Sequence, residues 1–351
     1  IFIMPEHIYK DVTDFEHNDY NMNSVGTGPY KLVDYQSGSY LKFEANENYY
    51  KGEPSIKNVV FQIIENADTA ILALQNGEVD AYQMTPQQVK KLDLDASNLS
   101  TYSYSEGRVG YLEINCNRVT DEKVRKALLY AMDRKAMDDA AFESSEYYSI
   151  PYTFLPTNSQ FYTEDGVEKY EQDVDKAKSM LEDAGVSGLK LKLGYMSSDA
   201  VQSAQALLIQ EQLKEVGVTV ELAGGDGTAI ANAMKDPDNE YDMYLGGYIM
   251  GIDPDTFSSL FENDGAYNYM HYSGYDTIDQ LFEEGRSELD ESARKETYAK
   301  LQAAVQDTGA FYPIISNNKI LVVNNRIQGV EDAGLVPVYT FEDTSSLKIA
   351  E

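Results

Sequence analysis

At 351 residues with 42% hydrophobic content, the chain is globular and exceeds what one hydrophobic core usually organises, so two lobes are expected. Fifty-nine acidic residues against 28 basic ones give a formal charge of −31, which argues against nucleic acid and anionic membrane surfaces as partners. The acids are spread along the chain and not gathered into a block, so the charge reads as solubility and implies no acidic substrate.

In chain order, residues 1–24 mix helical and polar signals, and Gly26-Thr27-Gly28-Pro29 then breaks the chain ahead of two strand-like runs, 30–33 and 40–43, that read as a hairpin. GTGP is not a phosphate loop: it precedes a strand, lacks the Lys-Ser/Thr ending and has no helix to cap. A buried strand follows at 59–64 and a helix at 67–77, closed by Gly77. The spacing of Val124, Ala127, Leu128, Ala131 and Met132 predicts one amphipathic helix over 121–137 whose stripe packs in the core. After an extended, Pro-punctuated segment at 150–156, a helix is predicted over 173–184 and a strand at 189–193. A long helix then runs to Val216, followed by another strand at 217–222. Helices at 275–288 and 291–308 and two apolar strands, 311–315 and 320–323, complete the sequence.

The stretch 241–261, YDMYLGGYIMGIDPDTFSSLF, passes from a strand pattern through Gly246 and Gly247 into the Asp253-Pro254-Asp255 turn. Glycines at a strand end let a backbone or ligand come close, because no Cβ stands in the way. Strand-helix-strand order favours an α/β lobe with crossover connections, and ligands of such lobes sit beyond the carboxyl ends of strands. Segments 194–199 and 246–253 are therefore expected to form rims of one pocket.

Other constellations carry no chemistry. His7, His17 and His271 match no metal-ligand spacing. Asp236, Asp238, Glu240 and Asp242 alternate like a calcium loop, but Tyr241 stands where that loop needs glycine and Gly247 where it needs the bidentate glutamate. No metal and no cofactor are expected. No nucleophile elbow or cysteine-histidine pair is present, and no carboxylate pair rises above chance among so many acids. The single Cys116 excludes an intramolecular disulfide and reads as a small buried thiol. Twenty-eight tyrosines without a tryptophan offer amphipathic contact area that suits peptide or carbohydrate, and plain packing equally well. No run of about 18 apolar residues appears, and IFIMPEHIY lacks a basic n-region and a cleavage site.

The runs GTGPYKLVDY, ANENYYKGEPSIKNVVFQII and ALQNGEVDAY, then INCNRVTDEKVRKALLYAMDRKAM, DVDKAKSMLEDAGV, QEQLKEVGVTVEL and the 241–261 stretch, resemble in order the solute-binding proteins of peptide-type ABC transporters, the group with dipeptide-, oligopeptide- and nickel-binding members. The resemblance covers nearly the whole chain. It implies a two-lobed, periplasmic-binding-protein-like α/β fold, with residues 1–108 a partial first lobe, 109–323 a complete second lobe and 324–351 a return to the first. Crossover segments near 109–115 and 315–323 would act as the hinge, and the family's long N-terminal portion has no counterpart here. The implied function is capture of a peptide or similar solute between two lobes and delivery to ABC permease subunits, by an extracytoplasmic monomer, as a cell-surface lipoprotein or in the periplasm. A peptide-sensing receptor and a hydrolase of peptide or sugar are the alternatives.

The ligand-binding residues expected from the resemblance and the rim argument are Asn115, Tyr195, Met196, Ser197, Gly247, Tyr248 and Met250. Family members that grip a free amino group use the aspartate of a stretch resembling W-x-x-D-x-x-x-P, and matching its proline to Pro254 puts Met250 at the aspartate and Gly247 at the tryptophan. Met196 falls near the arginine that holds the carboxylate of short peptides in dipeptide binders. Methionines offer polarizable apolar surface and no charge, so longer or blocked peptides, or a less polar solute, are expected over short zwitterionic dipeptides. Asp253 is expected to cap its turn.

Overall fold

The computed structural model describes residues 5–350 apart from 16, 19, 21–24, 95, 143, 144, 250, 252, 273, 275 and 338. The chain divides into two compact units, one of residues 1–104 with 319–351 and the other of 105–318.

The first unit carries a three-stranded antiparallel sheet, Tyr30–Gln36, Tyr40–Ala45 and Asn58–Gln62 in that order. The expected hairpin turns at Gly38, whose φ of 71° lies in the left-handed region that glycine adopts without strain. Val33, Tyr35, Val60 and Phe61 of this sheet stay exposed. Asn66 caps the helix Ala67–Gln75, its side chain accepting from the Thr69 amide at 3.0 Å, and the helix buries Ala70, Ile71 and Leu74. Strand Ala81–Met84 pairs antiparallel with Ile320 to Val323 over a small core of Tyr104, Leu321, Val323 and Val330.

The second unit is an α/β layer structure. Its strands run in the order Phe311–Asn324, Arg108–Ile114, Met243–Ile249, Lys190–Met196, Thr219–Gly225. The last three are mutually parallel, while Arg108–Ile114 is antiparallel to both its neighbours. One face is buried by Leu112, Ile114, Leu193, Leu213, Met243 and Leu245, beneath the helices Glu122–Tyr130, Arg134–Phe142, Val174–Asp183 and Ala200–Glu215. The other carries Val109, Tyr111, Phe154, Phe261, Phe282 and Phe311 under Asp276–Ser287 and Glu291–Asp307. Each fully buried side chain of this kind contributes about 1.5–3 kcal/mol, and two covered faces explain why the central strands read as near-continuous apolar runs.

Three expectations are corrected. The helix predicted over 121–137 is two, Glu122–Tyr130 and Arg134–Phe142. Asp133 makes the break: its amide donates to Gln212 Oε1 at 3.0 Å and its carboxylate accepts from the Ala136 amide at 3.1 Å, which starts a new helix. The strand expected to end at Gly246 runs on to Ile249, because Gly246 and Gly247 pair with Tyr111 and Gly110. The two apolar runs at 311–315 and 320–323 belong to one 14-residue strand, whose polar middle is held by Ser316 and Asn317 pairing with Ser149 and Tyr148.

Candidate functional site

The strand directions gather four ends at one edge of the second unit's sheet: Met196, Gly225 and Ile249 end their strands there, and Arg108 begins its own. Alternation then sorts the side chains. Leu193, Tyr195 and Leu245 share one face with residues 108, 110 and 247, whereas Val109, Tyr111 and Tyr248 point into the aromatic core on the other.

Of the expected residues, Tyr195, Met196, Ser197 and Gly247 come together at this edge. The half-buried Tyr195 ring covers Gly224, where a Cβ would stand 2.7 Å from its Cζ and hydroxyl oxygen, and that hydroxyl has no hydrogen-bond partner among the described residues. The Met196 amide donates to Gln202 Oε1 at 2.8 Å, and its side chain lies against Gly227 at the start of helix Gly227–Met234. Ser197 is exposed, its hydroxyl donating to the Gly225 carbonyl at 3.4 Å. Asp199 caps the following helix through the Val201 and Gln202 amides. Tyr248 sits on the same strand but turns to the opposite face, where its hydroxyl shares a 2.6 Å hydrogen bond with Ser259 Oγ. Met250 lies outside the described residues. Asp253 caps its turn by accepting from the Asp255 amide at 3.1 Å, and it is clamped by both Arg294 Nη atoms at 3.0 Å.

One residue at the edge escaped the sequence reading. The guanidinium of Arg108 lies across Gly247 and the Gly110 opposite it; a Cβ on Gly247 would stand 1.9 Å from Nη2, and one on Gly110 3.3 Å from Nη1. Arg108 is half-buried, and its side chain has no hydrogen bond or ion pair among the described residues. Glu113 on the same strand faces away, buried among Tyr111, Tyr244 and Tyr269, and burial raises its carboxyl well above the usual range. The signal for Arg108 was the alternation of Arg108 with Gly110, but the register that sets Gly110 beside Gly247 joins residues far apart in sequence.

Asn115 is not brought to this edge. It follows the far end of Arg108–Ile114, about 20 Å away at a strand's rise per residue. There it is fully buried, donating to the Pro237 carbonyl at 3.3 Å and accepting from the Asn117 amide at 3.0 Å. Beside it Asp242 accepts from Arg118 Nε and from the Lys192 amide, each at 2.7 Å. Asn115→Ala is expected to strand the Pro237 carbonyl and the Asn117 amide, costing about 1–3 kcal/mol with ligand affinity unchanged. A lower urea midpoint at unchanged slope, beside an unaltered binding isotherm, is the measurement.

The model of the bacterial extracellular solute-binding proteins, family 5, matches residues 1–269. Among solved structures, the chain is similar to the ABC transporter substrate binding protein CtaP from Listeria monocytogenes, at 38% identity and a TM-score of 0.93 over 99% of this chain and 72% of that one. It is 27% identical to the oligopeptide-binding protein AppA of Bacillus subtilis over 92% of this chain and 63% of the relative. It is 26% identical to the dipeptide-binding protein of Escherichia coli over 88% of this chain and 59% of the relative. The chain thus spans about six-tenths of the length of these two curated relatives. No helix among the described residues is long and apolar enough to cross a membrane. With a family model covering three-quarters of its length and an α/β fold shared with solved members, the chain belongs to the bacterial extracellular solute-binding proteins of family 5.

Proposed function

We propose that the protein is the substrate-binding component of an ABC importer, taking up a peptide or similar solute outside the cytoplasmic membrane and handing it to permease subunits. The observation that carries this reading is the edge of the second unit. There the Tyr195 ring lies over Gly224 and the Arg108 guanidinium over Gly247, and neither the hydroxyl nor the guanidinium has a partner among the described residues. The relatives named for oligopeptides and dipeptides favour a peptide. The task requires binding alone. At the edge the Ser197 hydroxyl donates to the Gly225 backbone carbonyl. A monomer held at the cell surface by a lipid anchor, or free in a periplasm, completes the proposal.

Native mass spectrometry of the full-length protein, purified without denaturation, tests it. Release of a peptide on unfolding is the expected result, and a bound sugar or metal chelate overturns the peptide reading.

A further inference from the structure

We propose that Arg108 grips a carboxylate of the bound solute, an inference that rests on the peptide-importer reading and adds an anionic anchor to it. The chain has seven arginines, and six have acceptors. Arg118, Arg286, Arg294 and Arg326 hold carboxylates, while Arg125 and Arg134 hold backbone carbonyls. Arg108 alone has none among the described residues, in a chain of charge −31 where acids outnumber bases two to one. A half-buried guanidinium has given up part of its hydration, and only an acceptor restores that loss.

The surroundings are built for such an acceptor. Gly247 leaves room for the planar fork to lie against its backbone, beside Gly110 and the Ile315 side chain packed over it, and a guanidinium fork carries donors matched to a two-oxygen acceptor. Tyr195, on the same face of the same edge, leans the other way, over Gly224 on the strand beyond, and leaves the guanidinium's side of the edge to Arg108. The acid on the strand itself, Glu113, is turned to the opposite face and buried there. The carboxylate could be a peptide's C-terminus or an acidic side chain within it. Arg108 thereby replaces, from another strand, the charge that Met196 does not supply.

The test uses the full-length protein and three probes measured by calorimetry: penta-alanine with a free C-terminus, its C-terminal amide, and the amide carrying a central glutamate. The parent is expected to prefer the free acid over the plain amide at least tenfold, about 1.4 kcal/mol. Binding of the glutamate amide as tightly as the acid points to a side-chain carboxylate, and binding as weakly as the plain amide points to the C-terminus. Arg108→Gln is expected to abolish the preference of acid over amide, and Arg108→Lys to retain part of it. Gly247→Ala keeps the arginine in the sequence but moves it: the new Cβ would displace the flexible guanidinium and should erase the preference without unfolding the chain. Equal affinity of the parent for acid and amide, or a preference that survives Arg108→Gln, overturns the proposal and leaves the peptide reading standing. Failure of all three probes to bind removes both.

Discussion

Replacing Arg134 by alanine is expected to cost the 105–318 unit about 3–5 kcal/mol and to lower its thermal midpoint by roughly 10 °C. Arg134 is 4% exposed and has no carboxylate partner among the described residues; its Nε donates to the Pro313 carbonyl at 2.7 Å and Nη1 to the Tyr170 carbonyl at 3.2 Å. Its guanidinium also lies 3.8 Å from the centre of the Tyr312 ring and 5.2 Å from that of Tyr152. Truncation strands two buried carbonyls, at about 1–3 kcal/mol each, and removes a desolvated cation–π contact worth about 2 kcal/mol. Arg134→Lys should recover less than half, because a compact ammonium cannot reach both carbonyls and stack on the ring. Scanning calorimetry measures the loss, and a cost under about 1 kcal/mol would mean that the carbonyls find other donors.

Asp138, one helical turn onward, gives the second large effect, through pH. Its carboxyl is fully buried, with one oxygen 3.5 Å from Gln205 Nε2 and the other unpartnered among the described residues. Burial pushes its pKa from 3.8 up to about 8, against the smaller opposing pull of Gln205 and Arg134. Between about pH 4 and pH 8 the folded chain therefore holds a proton that the unfolded chain releases, so the group's contribution to stability falls as pH rises through that window. Asp138→Asn removes the titration. The variant should match the parent near pH 4 and melt roughly 5 °C or more above it at pH 8.5, as followed by circular dichroism. A difference that stays flat with pH would mean the carboxyl is already ionised in the fold. Because Arg134 opposes the shift, the two substitutions should not be additive.

Much of the architecture was legible because local chemistry agrees with it. The alternation of Leu189, Leu191 and Leu193, the helix running to Val216 and the strand at 217–222 mark a strand-helix-strand unit that the fold contains as Lys190–Met196, Ala200–Glu215 and Thr219–Gly225. Tertiary context decided the rest. The apolar stripe through Ala131 and Met132 continues across a helix break, since both residues are buried whether or not the helix is continuous, and only Gln212 bonding Asp133 reveals the interruption. The polar Ser316 to Lys319 stretch reads as a loop until the strand beside it is known. At the site, the glycines and Tyr195 were visible as close-approach positions and a strand end. Arg108 was not, because its setting depends on the register of Arg108–Ile114 against Met243–Ile249. Asn115 was expected among the ligand-binding residues, at the end of the crossover segment near 109–115, but the antiparallel direction of Arg108–Ile114 puts it at the opposite edge.

Cys116 was noted only as a small core thiol, yet its burial sets what can be attached to the protein. It is 9% exposed, its Sγ lies 3.7 Å from the Ile114 carbonyl, and burial raises its pKa to about 11. Since thiolate is the reactive form, only on the order of one molecule in ten thousand carries it at pH 7. A second cysteine introduced where the chain is open to solvent, as at Leu289, which is 98% exposed, would take a maleimide dye essentially alone. Site-specific fluorophores can therefore be installed in this chain with its native cysteine left in place.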